Sequence, residues 1–63
     1  MIADRIARAV AANPGGSVTE IAEAAGCDAA DLWSVVGVLE ATGRIRREGG
    51  TGEPWRFYPG AAS

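Results

Sequence analysis

Large apolar residues fall at Ile2, Ile6 and Val10, four positions apart, with alanines between them, which lines one face of a helix running from residue 2 to residue 10. Asn13-Pro14-Gly15-Gly16 stops that helix, because proline cannot continue the hydrogen-bond ladder and the glycines favour open backbone. Ser17-Val18-Thr19-Glu20 then has the S-x-x-E form of a capping box, in which hydroxyl and carboxylate each satisfy an orphan amide. It opens a short second helix with Val18, Ile21, Ala22 and Ala25 on its apolar face and Gly26 as the left-handed residue that closes it. Cys27 to Asp31 turns the chain and caps again, with Asp28 as N-cap and Asp31 in the first turn, beside the positive end of the dipole. Leu32, Val35, Val36 and Leu39 follow at i, i+3, i+4 and i+7, the core stripe of a third helix that ends at Gly43.

Beyond Gly43 the period changes from helical to alternating. Arg44-Ile45-Arg46-Arg47 and Trp55-Arg56-Phe57-Tyr58 flank Gly49-Gly50-Thr51-Gly52-Glu53-Pro54, which is turn material. The pattern predicts a two-stranded hairpin with Ile45, Trp55 and Phe57 turned inward. The fold class expected is mainly α with a small β-hairpin, in one domain over residues 1–60, with Ala61 to Ser63 as a tail. Its predicted core is Ile6, Val10, Ile21, Leu32, Val35, Val36, Leu39, Ile45 and Phe57.

Composition narrows what such a domain can do. The 63 residues are 48% hydrophobic and 22% charged, a globular balance, and no apolar run reaches the roughly 18 residues that cross a bilayer. The opening Met-Ile-Ala-Asp-Arg lacks the basic start and unbroken apolar stretch of a secretory signal, so a cytoplasmic location is expected. One cysteine and no histidine remove an internal disulfide, a Cys/His zinc site and a Ser-His or Cys-His nucleophile pair. The expectation is a protein without enzymatic activity, cofactor or metal, and Cys27 is expected to serve packing.

A net charge of −2 argues against a simple nucleic-acid binder, but the distribution is uneven. Residues 1–43 set Arg5 and Arg8 against Asp4, Glu20, Glu23, Asp28, Asp31 and Glu40, a net of −4. Residues 44–63 set Arg44, Arg46, Arg47 and Arg56 against Glu48 and Glu53, a net of +2. The basic surplus therefore sits on the hairpin.

Helix, short helix, tight turn, longer helix and hairpin, in that order, resemble the winged helix-turn-helix superfamily over almost the whole chain. The resemblance is carried by Ser17-Val18-Thr19-Glu20-Ile21-Ala22, Ala25-Gly26-Cys27, Leu39-Glu40-Ala41-Thr42-Gly43-Arg44-Ile45 and the hairpin closing with Trp55. Among bacterial members the chain looks like the MarR-like regulators. It implies DNA binding in a regulatory or DNA-processing role, with the third helix toward the major groove and the wing on the flanking backbone. The wing, from Gly43 to Thr51 with Trp55-Arg56, is also similar to that of the Zα family, which binds left-handed nucleic acid through an Asn and a Tyr on the third helix and a wing Trp. Here the Asn position is Trp33 and the Tyr position Gly37, and only Trp55 is retained, so the shared wing supports the fold and not Z-form recognition.

The candidate nucleic-acid contacts are Arg44, Arg46, Arg47 and Arg56 on phosphate, with Ser34 and Trp33 on the third helix. Ser34 is the one side chain on that helix's outer surface suited to base edges, and Asp28, Asp31 and Glu40 oppose phosphate. A protein partner, or a second copy of the chain, is the alternative occupant of the third helix, against Trp33, Gly37, Ala30 and Asp31.

Overall fold

A computed structural model, described for residues 1–61, has the element order α1 (Ile2–Ala12), α2 (Val18–Ala25), α3 (Ala29–Ala41), β1 (Ile45–Glu48) and β2 (Arg56–Pro59). The local signals act as the sequence predicts. Ser17 Oγ accepts the Glu20 amide at 3.2 Å while Glu20 Oε1 accepts the Ser17 amide at 2.9 Å, so the capping box is complete. Asp28 Oδ1 accepts the Asp31 amide at 2.9 Å and caps α3. Gly26 and Gly43 both sit at left-handed φ, where the chain leaves α2 and α3. At the second of these the Arg44 amide reaches back to the Leu39 carbonyl at 2.9 Å and the Gly43 amide to that of Glu40 at 3.0 Å, a Schellman closure.

Arg5 adds a longer-range cap. Its Nη2 donates to the carbonyl of Ala25 at 2.6 Å and to that of Gly26 at 3.1 Å, placing a cation at the negative end of α2 and tying α1 to it.

The strands pair antiparallel with Ile45 opposite Pro59, Arg46 opposite Tyr58, Arg47 opposite Phe57 and Glu48 opposite Arg56. A third piece of extended backbone joins them. The Phe57 amide donates to the Gly16 carbonyl at 3.0 Å and the Gly15 amide to the Phe57 carbonyl at 2.7 Å, so the loop between α1 and α2 pairs with the outer side of β2. Gly16 is buried there, and a Cβ on it would come within 3.0 Å of the Asn13 carbonyl oxygen and closer still to Ile21. This residue is glycine for want of space.

Ile6, Val10, Ile21, Leu32, Val36, Leu39, Ile45 and Phe57 are buried together, with Ala9, Ala22 and Ala25 filling between the helices. Val35 is the exception among the predicted core: it is half-buried at the margin, since the stripe turns from Leu32 to Val36 to Leu39 and leaves i+3 on its flank. Val18 is likewise marginal. Helix α1 runs on past Val10 to Ala12, where Asn13 Nδ2 donates back to the Ala9 carbonyl at 2.8 Å. Each strand begins one residue later than the alternation predicts, and Trp55 lies just outside β2, half-buried and packed on the core edge. Cys27 is half-buried against the same core. Of the predicted tail, Ala61 is exposed and residues 62–63 lie outside the described residues.

Two predictions follow from this packing. Leu39→Ala removes a fully enclosed side chain and should cost about 2–5 kcal/mol in urea unfolding, a large share of the stability of so small a domain. An unchanged midpoint would mean α3 is phased otherwise. The Glu20 carboxyl is held below its ordinary value of 4.5, chiefly by the Ser17 amide and then by the Ser17 hydroxyl. Its contribution is therefore complete above the ordinary value and lost as pH falls through the lowered one, so Glu20→Gln should flatten part of the acid limb of a stability–pH titration.

Candidate nucleic-acid interface

Alternation along the hairpin gives the wing two chemically different faces. Arg46, Glu48, Arg56 and Tyr58 share the outer one, while Ile45, Arg47 and Phe57 point toward α3. On the outer face the Arg46 guanidinium lies 4.6 Å above the Tyr58 ring and pairs with Glu48. Arg56 Nη1 donates to the Gly15 carbonyl at 3.0 Å, and Arg56 has no carboxylate partner among the described residues. Both arginines are exposed, and the cation–π contact and the carbonyl each hold a stem in place while leaving donors directed at solvent.

Arg47 is held differently. Its Nε donates to Glu40 Oε2 at 3.0 Å, and its guanidinium sits 4.4 Å from the Trp55 ring centroid and 5.4 Å from that of Trp33. Trp33 in turn meets Phe57 edge-on at 6.0 Å between centroids. One guanidinium between two indoles, with a carboxylate from α3, clamps the wing to that helix. The loop serves the same contact: the Trp55 ring covers Gly50, where no Cβ could fit, and the Gly50 amide closes the turn on the Glu53 carbonyl at 3.0 Å. Arg44, at the root of the wing, pairs with Asp4 of α1 at 3.0 Å.

The fold thus brings Arg46 and Arg56 to one open face, sets Arg44 at its edge, and directs Arg47 inward with Trp33. Ser34 is exposed on α3, but its hydroxyl donates to the Asp31 carbonyl at 2.7 Å. Ala30, Asp31 and Gly37 are exposed as well, and a Cβ on Gly37 would meet nothing within 4 Å. Trp33 is 39% exposed, so it is both a core-edge ring and a surface one. Tyr58 was not singled out in the sequence, although the alternation that turns Phe57 inward turns it outward beside Arg46. Asp4, the counterion of Arg44, lies forty residues away in α1 and leaves no local trace, whereas Glu40, the counterion of Arg47, stands seven residues before it near the end of α3.

Three helices, with α2 and α3 joined by a tight turn, followed by a two-stranded hairpin, make a fold that this chain shares with a solved structure. The crystal structure of the transcriptional regulator SlyA matches 95% of this chain and 43% of that chain, at a TM-score of 0.75 and 26% sequence identity. The fold is a MarR-like winged helix. No family model and no curated protein matches the chain. The winged helix spans less than half the length of the SlyA chain it resembles. In it, α2 and α3 form the helix-turn-helix and the hairpin is the wing. Among the described residues no helix is long and apolar enough to cross a membrane, and no cluster of His, Cys, Asp and Glu could hold a metal.

The clamp predicts its own test. Arg47→Ala removes a partly exposed ion pair and two cation–π contacts, and should lower stability by about 1–2 kcal/mol while shifting the tryptophan emission, because both indoles lose their cover. A variant with the parent's thermal midpoint and emission spectrum would show that the wing is held by Phe57 alone.

Proposed function

We propose that this winged helix binds DNA, contacting phosphates through the outer face of the wing with α3 toward the groove, as part of a transcriptional regulator. The observation that carries it is the placement of Arg46 and Arg56, exposed and buttressed on one face of the wing in a fold shared with a transcriptional regulator. Phosphate contact by arginine fixes position and carries no sequence information by itself. Helix α3 adds little base reading, because Ser34 is turned back on its own helix and Asp28 and Asp31 oppose the backbone charge. Binding is accordingly sequence-tolerant and sensitive to salt. Arg44 and Arg47 take part through the wing's placement, Arg44 at its root and Arg47 at its clamp, and Trp33 supports the same clamp. No catalysis, metal or cofactor enters this function, and the protein acts in the cytoplasm.

The poverty of α3 in base-reading side chains favours a second role, as a protein-interaction surface. Trp33, Gly37, Ala30 and Asp31 belong to it.

Random-sequence duplex DNA titrated at about 50 and 200 mM salt checks the first proposal. Arg46→Ala with Arg56→Ala should weaken binding alike on every sequence and reduce the salt slope by up to about two phosphate contacts. Sequence preference that survives the double substitution would move recognition to α3.

A further inference from the structure

Tyr58 is the uncharged member of the wing's outer face. It stands opposite Arg46 in the hairpin and two residues from Arg56 along β2, so all three project from the same side of the sheet. Its half-buried ring lies beneath the Arg46 guanidinium, 4.6 Å from the centroid, which leaves no face on that side for a base to stack on. Its hydroxyl end lies at the loop between α1 and α2, where a Cβ on Gly15 would meet Cε1 and the hydroxyl oxygen, each at 3.7 Å. Arg56 ends at the same residue, since its Nη1 donates to the Gly15 carbonyl. The Tyr58 hydroxyl makes no hydrogen bond among the described residues, and no buried side-chain oxygen among them lacks a partner, so this O–H opens to water between two arginines.

We infer that Tyr58 is a ligand of the nucleic-acid backbone, its hydroxyl donating to a phosphate oxygen that Arg46 and Arg56 approach from either side. The inference deepens the DNA-binding role of the wing and rests on it. Arginine supplies an attraction that acts at a distance and weakens with salt, whereas a hydroxyl acts only in contact and fixes where the phosphate sits. The Tyr58 ring is already held between Arg46 and the loop at Gly15, so little rotamer freedom remains to be lost when a phosphate arrives. Glu48, the carboxylate on this face, is paired with Arg46 and has to share that guanidinium with a phosphate. Tyr58 has no internal hydrogen bond to give up.

Tyr58→Phe deletes the O–H and keeps the ring under Arg46 and against Gly15. Titrated with random-sequence duplex DNA between about 50 and 200 mM salt, it should bind about three- to tenfold more weakly than the parent at every salt, with the parent's salt slope and thermal midpoint, because a neutral donor releases no counterion. Arg46→Ala in the same series should instead make the slope shallower by about one phosphate contact. Tyr58→Phe with the parent's affinity would overturn the inference and leave the arginine contacts standing. A loss that comes with a shallower slope or a lower midpoint would make Tyr58 a support for Arg46 and overturn it likewise. A parent that binds no duplex at the lower salt would remove the wing's DNA role and this ligand with it.

Discussion

The seating of Phe57 holds the two halves of this chain together. Its ring is buried in the helical core, its amide and carbonyl pair with the loop between α1 and α2, and its neighbour across the hairpin is Arg47. One residue of β2 therefore fixes the loop, the wing and, through the edge of Trp33, the helix on which the wing rests. A two-stranded hairpin with four residues in each strand has too little apolar face to be stable alone, and this one is ordered by what it inserts between the helices.

Local chemistry was legible in the sequence. Ser17 and Glu20 cap, Asp28 caps, and Gly26 and Gly43 take the left-handed positions, because each depends on neighbours within a turn. The bridge at Gly16 was not, since glycine has no side chain to show periodicity and its partner lies at the far end of the chain. Val35 shows a limit of another kind: i+3 and i+4 both fit a helical stripe, and only the neighbouring elements decide which is enclosed. In the candidate site, the concentration of arginine on the hairpin was readable, but the division of labour among those residues was not. Arg47 has the same chemistry as Arg46 and follows it directly, yet alternation turns it toward Trp33, Trp55 and Glu40. The same period-2 pattern that turns Ile45 inward predicts this once side-chain type is set aside.

Electrostatics shapes the functional account. Arg44, Arg46 and Arg47 each carry an internal carboxylate partner, from Asp4, Glu48 and Glu40, which lowers the field the wing can offer a polyanion. Partly exposed pairs of this kind contribute little to stability, so phosphate can share or replace the Glu48 contact at small cost, whereas Arg47 would have to leave two indole faces. The wing thus separates an open face, the one proposed to meet phosphate, from a face that holds the hairpin to α3.

That separation is tested most directly by nuclear magnetic resonance of the intact protein titrated with a random-sequence duplex. Amides of Arg46, Glu48, Arg56 and Tyr58 should shift progressively at low salt and return as salt rises, while Phe57 and the Trp55 indole N–H hold their positions. Shifts confined to the groove between α1 and α2, where Arg5 and Arg8 lie, with the outer wing unmoved, would contradict the account.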